Sequence, residues 1–118
     1  MTWLFVFVGG GVGSLLRYGL SVFLLKNWEG GFPLATFISN LLSCLILVSI
    51  VLLYEHYQID NRLLRAGLIV GFCGGFSTFS TFSYETVMLI KNGNHLVAAG
   101  NVILSVAVCL ILIYKLTK

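Results

Sequence analysis

Residues 71–85 read GFCGGFSTFSTFSYE. A glycine pair, five Ser and Thr hydroxyls and phenylalanines spaced by three sit together inside a long apolar run. Hydroxyls donate hydrogen bonds without carrying charge, and aromatic ring edges are electropositive. Phe79 and Phe82 share one helix face, with Glu85 a turn further on. Two ring edges along a narrow path can touch an anion where water cannot follow. Rings that only face lipid would account for their own apolarity but not for the hydroxyls beside them. Two other apolar segments carry related seams: Thr36, Asn40 and Ser43 at spacings of four and three, and Asn101, Ser105 and Cys109 at spacings of four. Such seams can simply glue helices together. As a lining, neutral amide and hydroxyl donors suit a dehydrating anion, whereas a cation wants carboxylates or rings of carbonyls.

Other chemistries find less support. Cys44, Cys73 and Cys109 lie in apolar runs with no metal-like spacing and read as small packing residues. His56 and His95 flank polar turns and form no cluster. There is no Ser-His-Asp or metal-ligand pattern, so an enzyme is not expected. Gly9-x-Gly11-x-x-Ser14 has no preceding strand and no βαβ unit, which rules out a dinucleotide fingerprint. Gly9 with Gly13, and Gly10 with Ser14, fit small-xxx-small helix packing instead. Arg17 is a fixed cation some 14 residues into an apolar helix. It either snorkels to the headgroups or is buried against protein or water, and an intramembrane charge is a functional candidate by default. Gly74-Gly75 followed by Ser and Thr weakens a helix, since glycine costs about 1 kcal/mol there and hydroxyls compete for the backbone. A break at membrane depth is tolerated only against protein or a water-filled cavity. Its freed carbonyls can hold a cation, and the start of the second half-helix can face an anion.

The elements that position these residues follow from composition. The chain has 118 residues, 58% hydrophobic and 9% charged, against about a quarter charged in soluble domains; its mean hydropathy is +1.01. It is expected to live in lipid. Four apolar segments, about 3–25, 33–54, 63–90 and 96–116, each provide the ~20 residues that cross a bilayer. They form a single transmembrane domain over 1–118, the third helix broken near 74–78. Short polar breaks separate them at 26–31, 55–62 and 91–95. Gly30-Gly31 stop the first helix and Pro33 suits the first turn of the second. Asp60 or Asn61 can cap the third, and Asn94 the fourth. The start MTWLF lacks a basic region and a nearby cleavage site, so a retained helix is expected rather than a signal peptide. The net charge of +3 includes no block of like charge that suggests nucleic acid. With four spans, Arg62, Arg65, Lys115 and Lys118 share one side, and Lys26, Lys91 and the nearby Arg17 the other. Orientation follows Lys/Arg imbalance. This near-balance permits insertion both ways up, and hence antiparallel pairing; a single topology set by the small excess is the plainer reading.

The segments GGGVGSLLRY (9–18), LATFISN (34–40) and GFCGGFSTFSTFS (71–83) come in the order and near the spacing of a known family. The chain resembles the CrcB/Fluc family of small fluoride channels over nearly its whole length, and the third segment is the most specific. The resemblance implies an all-α membrane protein: four transmembrane helices per subunit, the third broken at its centre, paired as an antiparallel dual-topology homodimer. It implies passive F⁻ export through two pores across a bacterial inner membrane, with no nucleotide and no nucleic acid. Hydrofluoric acid crosses lipid neutral, ionises in a less acidic cytoplasm and is trapped as F⁻, so a passive anion pore relieves it. Carried over, the pore residues are Asn40, Phe79, Phe82, Ser80, Thr81, Ser105 and Arg17. The resemblance further implies a structural Na⁺ on the two-fold axis, held by the backbone carbonyls of Gly74 and Ser77. Two positions depart from the family pattern. Ser77 stands where threonine is common, which leaves a carbonyl ligand intact. The fourth-helix hydroxyl track thins from Ser105 to Cys109 and Ile113.

A proton-coupled antiparallel drug exporter is the rival of similar size. It needs a titratable carboxylate inside the bundle, yet Glu29, Glu55 and Asp60 lie in turns, Glu85 is toward the end of its helix and the first helix has none. A scaffold subunit would leave the donor seams and the STF repeat without purpose.

Overall fold

The computed structural model describes residues 1–28 and 30–117. Glu29, placed above in a turn, and Lys118, counted above among the basic residues of one side, lie outside the described residues. All regular elements among the described residues are helical. Four stretches are long and apolar enough to cross a membrane: α1 (Thr2–Asn27), α2 (Leu34–Tyr57), the third span (Arg62–Lys91) and α6 (His95–Leu116).

Local chemistry explains the ends of these helices. α2 runs three residues beyond the expected 54, through Glu55, His56 and Tyr57. What stops it is Gln58, left-handed at φ 51°, whose N–H bonds back to the Tyr54 carbonyl. Asn61 caps the third span: its side chain accepts from the Leu64 N–H at 3.0 Å. Asn94 stands at the start of α6 but makes no side-chain cap bond. Its own N–H bonds the Leu89 carbonyl at 2.8 Å, part of a turn in which Gly93 takes φ +83°, a conformation that favours glycine.

The third span is not one regular helix. α3 (Arg62–Arg65) passes into π-helical turns over Ala66–Cys73 and then into α4 (Gly74–Phe76). Ser77 (φ −83°, ψ 159°) and Thr78 (φ −152°, ψ 117°) are extended. Helix resumes as α5 (Phe79–Lys91). Gly74, Gly75 and Phe76 are helical, so the backbone leaves the helix on the two hydroxyl residues after Phe76.

The glycines do different work. A Cβ on Gly75 would lie 2.5 Å from the Gly10 carbonyl oxygen, and one on Gly71 would lie 2.7 Å from that of Val6. From the α1 side, a Cβ on Gly9 or Gly13 would collide with the carbonyl oxygens of Gly67 and Phe72. The glycine face of α1 is therefore in backbone contact with the π-helical segment and α4 of its own chain. The glycine-rich first helix, read above as a packing surface, is already covered within one chain.

The interior is as polar as it is apolar. Val48, Cys73, Phe76, Leu89 and Ala98 are buried, and so are Thr36, Ser39, Ser43, Asn101 and Ser105. Lipid tails are as apolar as leucine, so a membrane bundle coheres through close backbone approach and hydrogen bonds, and these buried groups supply both.

Candidate functional site

The extended pair Ser77-Thr78 is held from α2 by one side chain. Asn40 Oδ1 accepts from the Thr78 N–H at 2.8 Å, and Asn40 Nδ2 donates to the Thr78 carbonyl at 3.3 Å. Because an N–H can only donate, the first bond fixes which end of the amide is oxygen. One N–H of Nδ2 is used, and the amide has a second to offer. Asn40 thus does for the Thr78 peptide what neighbouring turns do inside a helix. The Thr78 N–H, the regular helical partner of the Gly74 carbonyl, is turned to Asn40 instead.

Four further bonds fasten the interruption. The Cys73 carbonyl accepts from Ser43 Oγ at 3.0 Å and from Ser77 Oγ at 2.8 Å. The Gly75 carbonyl accepts from Arg17 Nε at 3.1 Å. Thr78 Oγ1 caps α5 by accepting the Thr81 N–H at 3.2 Å. Arg17 is half-buried against the break and hydrogen-bonded to protein, which decides against simple snorkelling. The carbonyl end of α4 and the amide start of α5 now lie side by side. Helix C-termini are partly negative and N-termini partly positive, so neighbouring points favour a cation and an anion respectively.

Two cavities share Thr78 as a wall, the first lined mainly by apolar surface and the second more polar. The first, about 250 Å³, is bordered by Asn40, Ser77, Thr78, Phe79, Phe82 and Ser105, together with Cys44, Val106 and Cys109. It gathers most of the residues named from sequence. The rings of Phe79 and Phe82 lie 6.0 Å apart, tilted by 37°; Phe79 is 79% exposed on the chain taken alone. The second, about 170 Å³, is bordered by Arg17, Thr36, Thr81 and Glu85 among others. Arg17 and Thr81 therefore border a different cavity from the phenylalanines. Ser80 borders neither; it is exposed, its hydroxyl 3.4 Å from Thr78 Oγ1. Gly74 is also exposed, and a Cβ there would meet nothing within 4 Å. A larger cavity of about 360 Å³ lies between α1 and the third span, but Leu4, Phe5, Val8, Leu64 and Leu68 line it and supply no side-chain donor.

Much of the donor seam is committed to bonds within the chain. Ser43 bonds Cys73, and Thr36 Oγ1 donates to Glu85 Oε1 at 2.8 Å. Ser105 Oγ donates to Asn101 Oδ1 at 3.3 Å, Asn101 Nδ2 to Thr86 Oγ1 at 2.9 Å, and Thr86 Oγ1 to the Phe82 carbonyl at 2.8 Å. This last series ties α6 to the backbone of Phe82. Sequence reasoning overlooked Thr78 and Thr86. Thr78 had a readable signal: a threonine just ahead of a resumed helix is a preferred N-cap. Thr86, a turn beyond Phe82, carried none.

Known proteins resemble this chain over most of its length. The family described as "CrcB-like protein, Camphor Resistance (CrcB)" matches residues 4–115. A Coxiella burnetii protein named "Fluoride-specific ion channel FluC" is 40% identical over 111 residues, covering 93% of this chain and 90% of its own. Proteins of the same name from Phocaeicola vulgatus (42% over 90 residues, 76% and 74% covered) and Clostridium perfringens (38% over 114 residues, 93% and 86% covered) are similarly close.

Proposed function

The chain belongs to the CrcB family, and from that premise we propose that it is a fluoride channel, letting F⁻ leave a bacterial cell passively through its inner membrane. The observation that carries this reading is the cavity at the interrupted span, where Asn40, Phe79, Phe82 and Ser105 converge. Fluoride is small and strongly hydrated, so it crosses only where donors replace its water. The second N–H of Asn40, the ring edges of Phe79 and Phe82, and the amide start of α5 are such donors. None is a fixed cation at the cavity, so binding stays weak enough for release. Arg17 and Thr81 serve the approach through the second cavity, where a positive side chain raises the local anion concentration, and the exposed Ser80 hydroxyl serves it from beside Thr78 Oγ1. Ser105 reaches the ion by turning its hydroxyl from Asn101.

The same reading assigns a structural Na⁺ to the Gly74 and Ser77 carbonyls. The fit is supported by the Gly74 carbonyl, whose regular partner bonds Asn40, and by the open space around Gly74. Unwound carbonyls are suitable Na⁺ ligands. Two are too few, so the site calls for a second copy across a two-fold axis, as an antiparallel homodimer provides. When bound, the ion would tie the two interruptions together.

A proton-coupled exporter is disfavoured, since the relatives are named as fluoride channels and Glu85 is hydrogen-bonded to Thr36. The test is a fluoride electrode in a suspension of liposomes that hold purified protein and KF. Rapid valinomycin-dependent F⁻ efflux without a proton gradient is expected. Efflux no faster than from empty liposomes, with the protein folded and inserted, overturns the proposal.

A further inference from the structure

We propose that Cys44 and Cys109 form a two-coordinate site for a thiophilic cation of the Hg²⁺, Ag⁺ or Cu⁺ class, and that its occupation plugs the cavity at Phe82. As the second and fourth of four successive spans, α2 and α6 run the same way. Each carries polar residues at steps of four: 36, 40 and 44 on α2, and 101, 105 and 109 on α6. Asn40 and Ser105 border one cavity, and a turn further along each helix Cys44 and Cys109 border it too. Cys44 and Cys109 are side-chain neighbours across α2 and α6. Neither is in a disulfide, and both are part-exposed, whereas Cys73 is buried.

Two thiols from different helices, facing one small cavity, match the preference of soft d¹⁰ cations for thiolate sulfur. Among the described residues no group of three or more His, Cys, Asp or Glu side chains converges. The site is therefore linear and two-coordinate, which disfavours Zn²⁺ with its four ligands. Binding Hg²⁺ forms two S–Hg bonds and breaks two S–H bonds; both protons pass to water in the cavity and no electrons are exchanged. The metal then sits a turn from Asn40 and Ser105, beside the Phe82 ring. The site itself stands whatever ion permeates; the plug rests on the fluoride reading.

The test titrates purified protein with Hg²⁺ in chloride-free detergent solution, following Hg–thiolate charge-transfer absorption and the mass of the metal-bound chain by native mass spectrometry. We expect absorption to saturate at one Hg²⁺ per chain, the bound metal displacing two hydrogens from the chain mass, and the same end point in Cys73→Ala. Either Cys44→Ala or Cys109→Ala is expected to weaken retention against a competing monothiol on the order of 100-fold, the loss of a second linked ligand. A bound Hg that displaces one hydrogen and keeps a hydroxide in the unmodified chain, a measure that needs no variant to fold, overturns the site. So does unchanged retention in Cys109→Ala. In liposomes, one equivalent of Hg²⁺ is expected to stop F⁻ efflux, reversibly with dithiothreitol, each variant being scored against its own metal-free rate. Full efflux with the metal bound overturns the plug and leaves the site standing. Absence of efflux before metal is added counts against the fluoride reading instead.

Discussion

Asn40 is asked to do two jobs with one amide, and substitutions separate them. Its Oδ1 holds the Thr78 N–H, and the spare N–H of Nδ2 faces the proposed ion. Asn40→Asp keeps an acceptor for Thr78 but removes the donor and, when ionised, sets a negative charge in the anion's way. Fluoride efflux in liposomes is expected to fall to background while the protein stays folded. Asn40→Ala removes both bonds and leaves the Thr78 N–H and carbonyl unpaired, at about 1–3 kcal/mol each; lower thermal stability in detergent should accompany lost flux. Phe82→Ile keeps bulk and apolarity but loses the electropositive edge, so flux is expected to drop at least tenfold with normal assembly. The same exchange types at Leu47 or Ile111 should leave efflux near that of the parent. Parent-like conduction in both Phe82→Ile and Asn40→Asp would place the pore elsewhere. Ser77→Ala addresses the cation: the side-chain hydroxyl bonds the Cys73 carbonyl, so any Na⁺ dependence of flux should survive. Its loss in a folded variant would assign the ligand to the hydroxyl.

Between elements, the adjacent glycines of the third span predict opposite outcomes. Gly75→Ala drives a methyl toward the Gly10 carbonyl, at 2.5 Å before relaxation. Overpacking of this kind costs about 1–3 kcal/mol, and a lower unfolding temperature is the readout. Gly74→Ala meets nothing in its own chain, so the fold of one chain should be indifferent to it. If Gly74 faces a second copy, as the proposed Na⁺ site requires, the alanine should instead reduce the dimer fraction seen by single-molecule photobleaching in dilute liposomes. Equal effects of the two alanines on unfolding would contradict the packing described. The four spans were legible from apolar run length, because a bilayer imposes a minimum that short breaks cannot hide. The meeting of Asn40 with Phe79 and Phe82 was legible only in part. Spacing showed that each belonged to a polar or aromatic face, but not which faces met. Periodicity within one helix says nothing of its rotation against another. For the same reason the partners of Ser43, Thr36 and Asn101 were hidden, and a donor seam read as a lining proved largely spent on neighbouring backbone and side chains.

The whole chain exposes 7978 Å², against roughly 6,300 Å² for a compact soluble monomer of this mass. The excess is apolar surface such as Phe7, Phe23 and Phe79, available to lipid or to a second copy. With the glycine face of α1 consumed internally, the proposed antiparallel dimer rests on the near-balance of basic residues, the open face at Gly74 and the exposed Phe79. A single cysteine at Gln58, in a chain whose native cysteines are replaced, should be labelled by impermeant maleimide from both sides of the membrane. Labelling from one side only would remove the dual topology. The contact between α1 and the third span also sets an order of events during synthesis. A helix at the very front of the chain finds its closest partner in residues 67–76, which leave the ribosome only after α2 has been made and threaded. Until then the nascent hairpin of α1 and α2 carries a bare glycine groove in the lipid, without the backbone that will fill it. A chain that ends before residue 67 therefore lacks the surface on which the glycines of α1 pack.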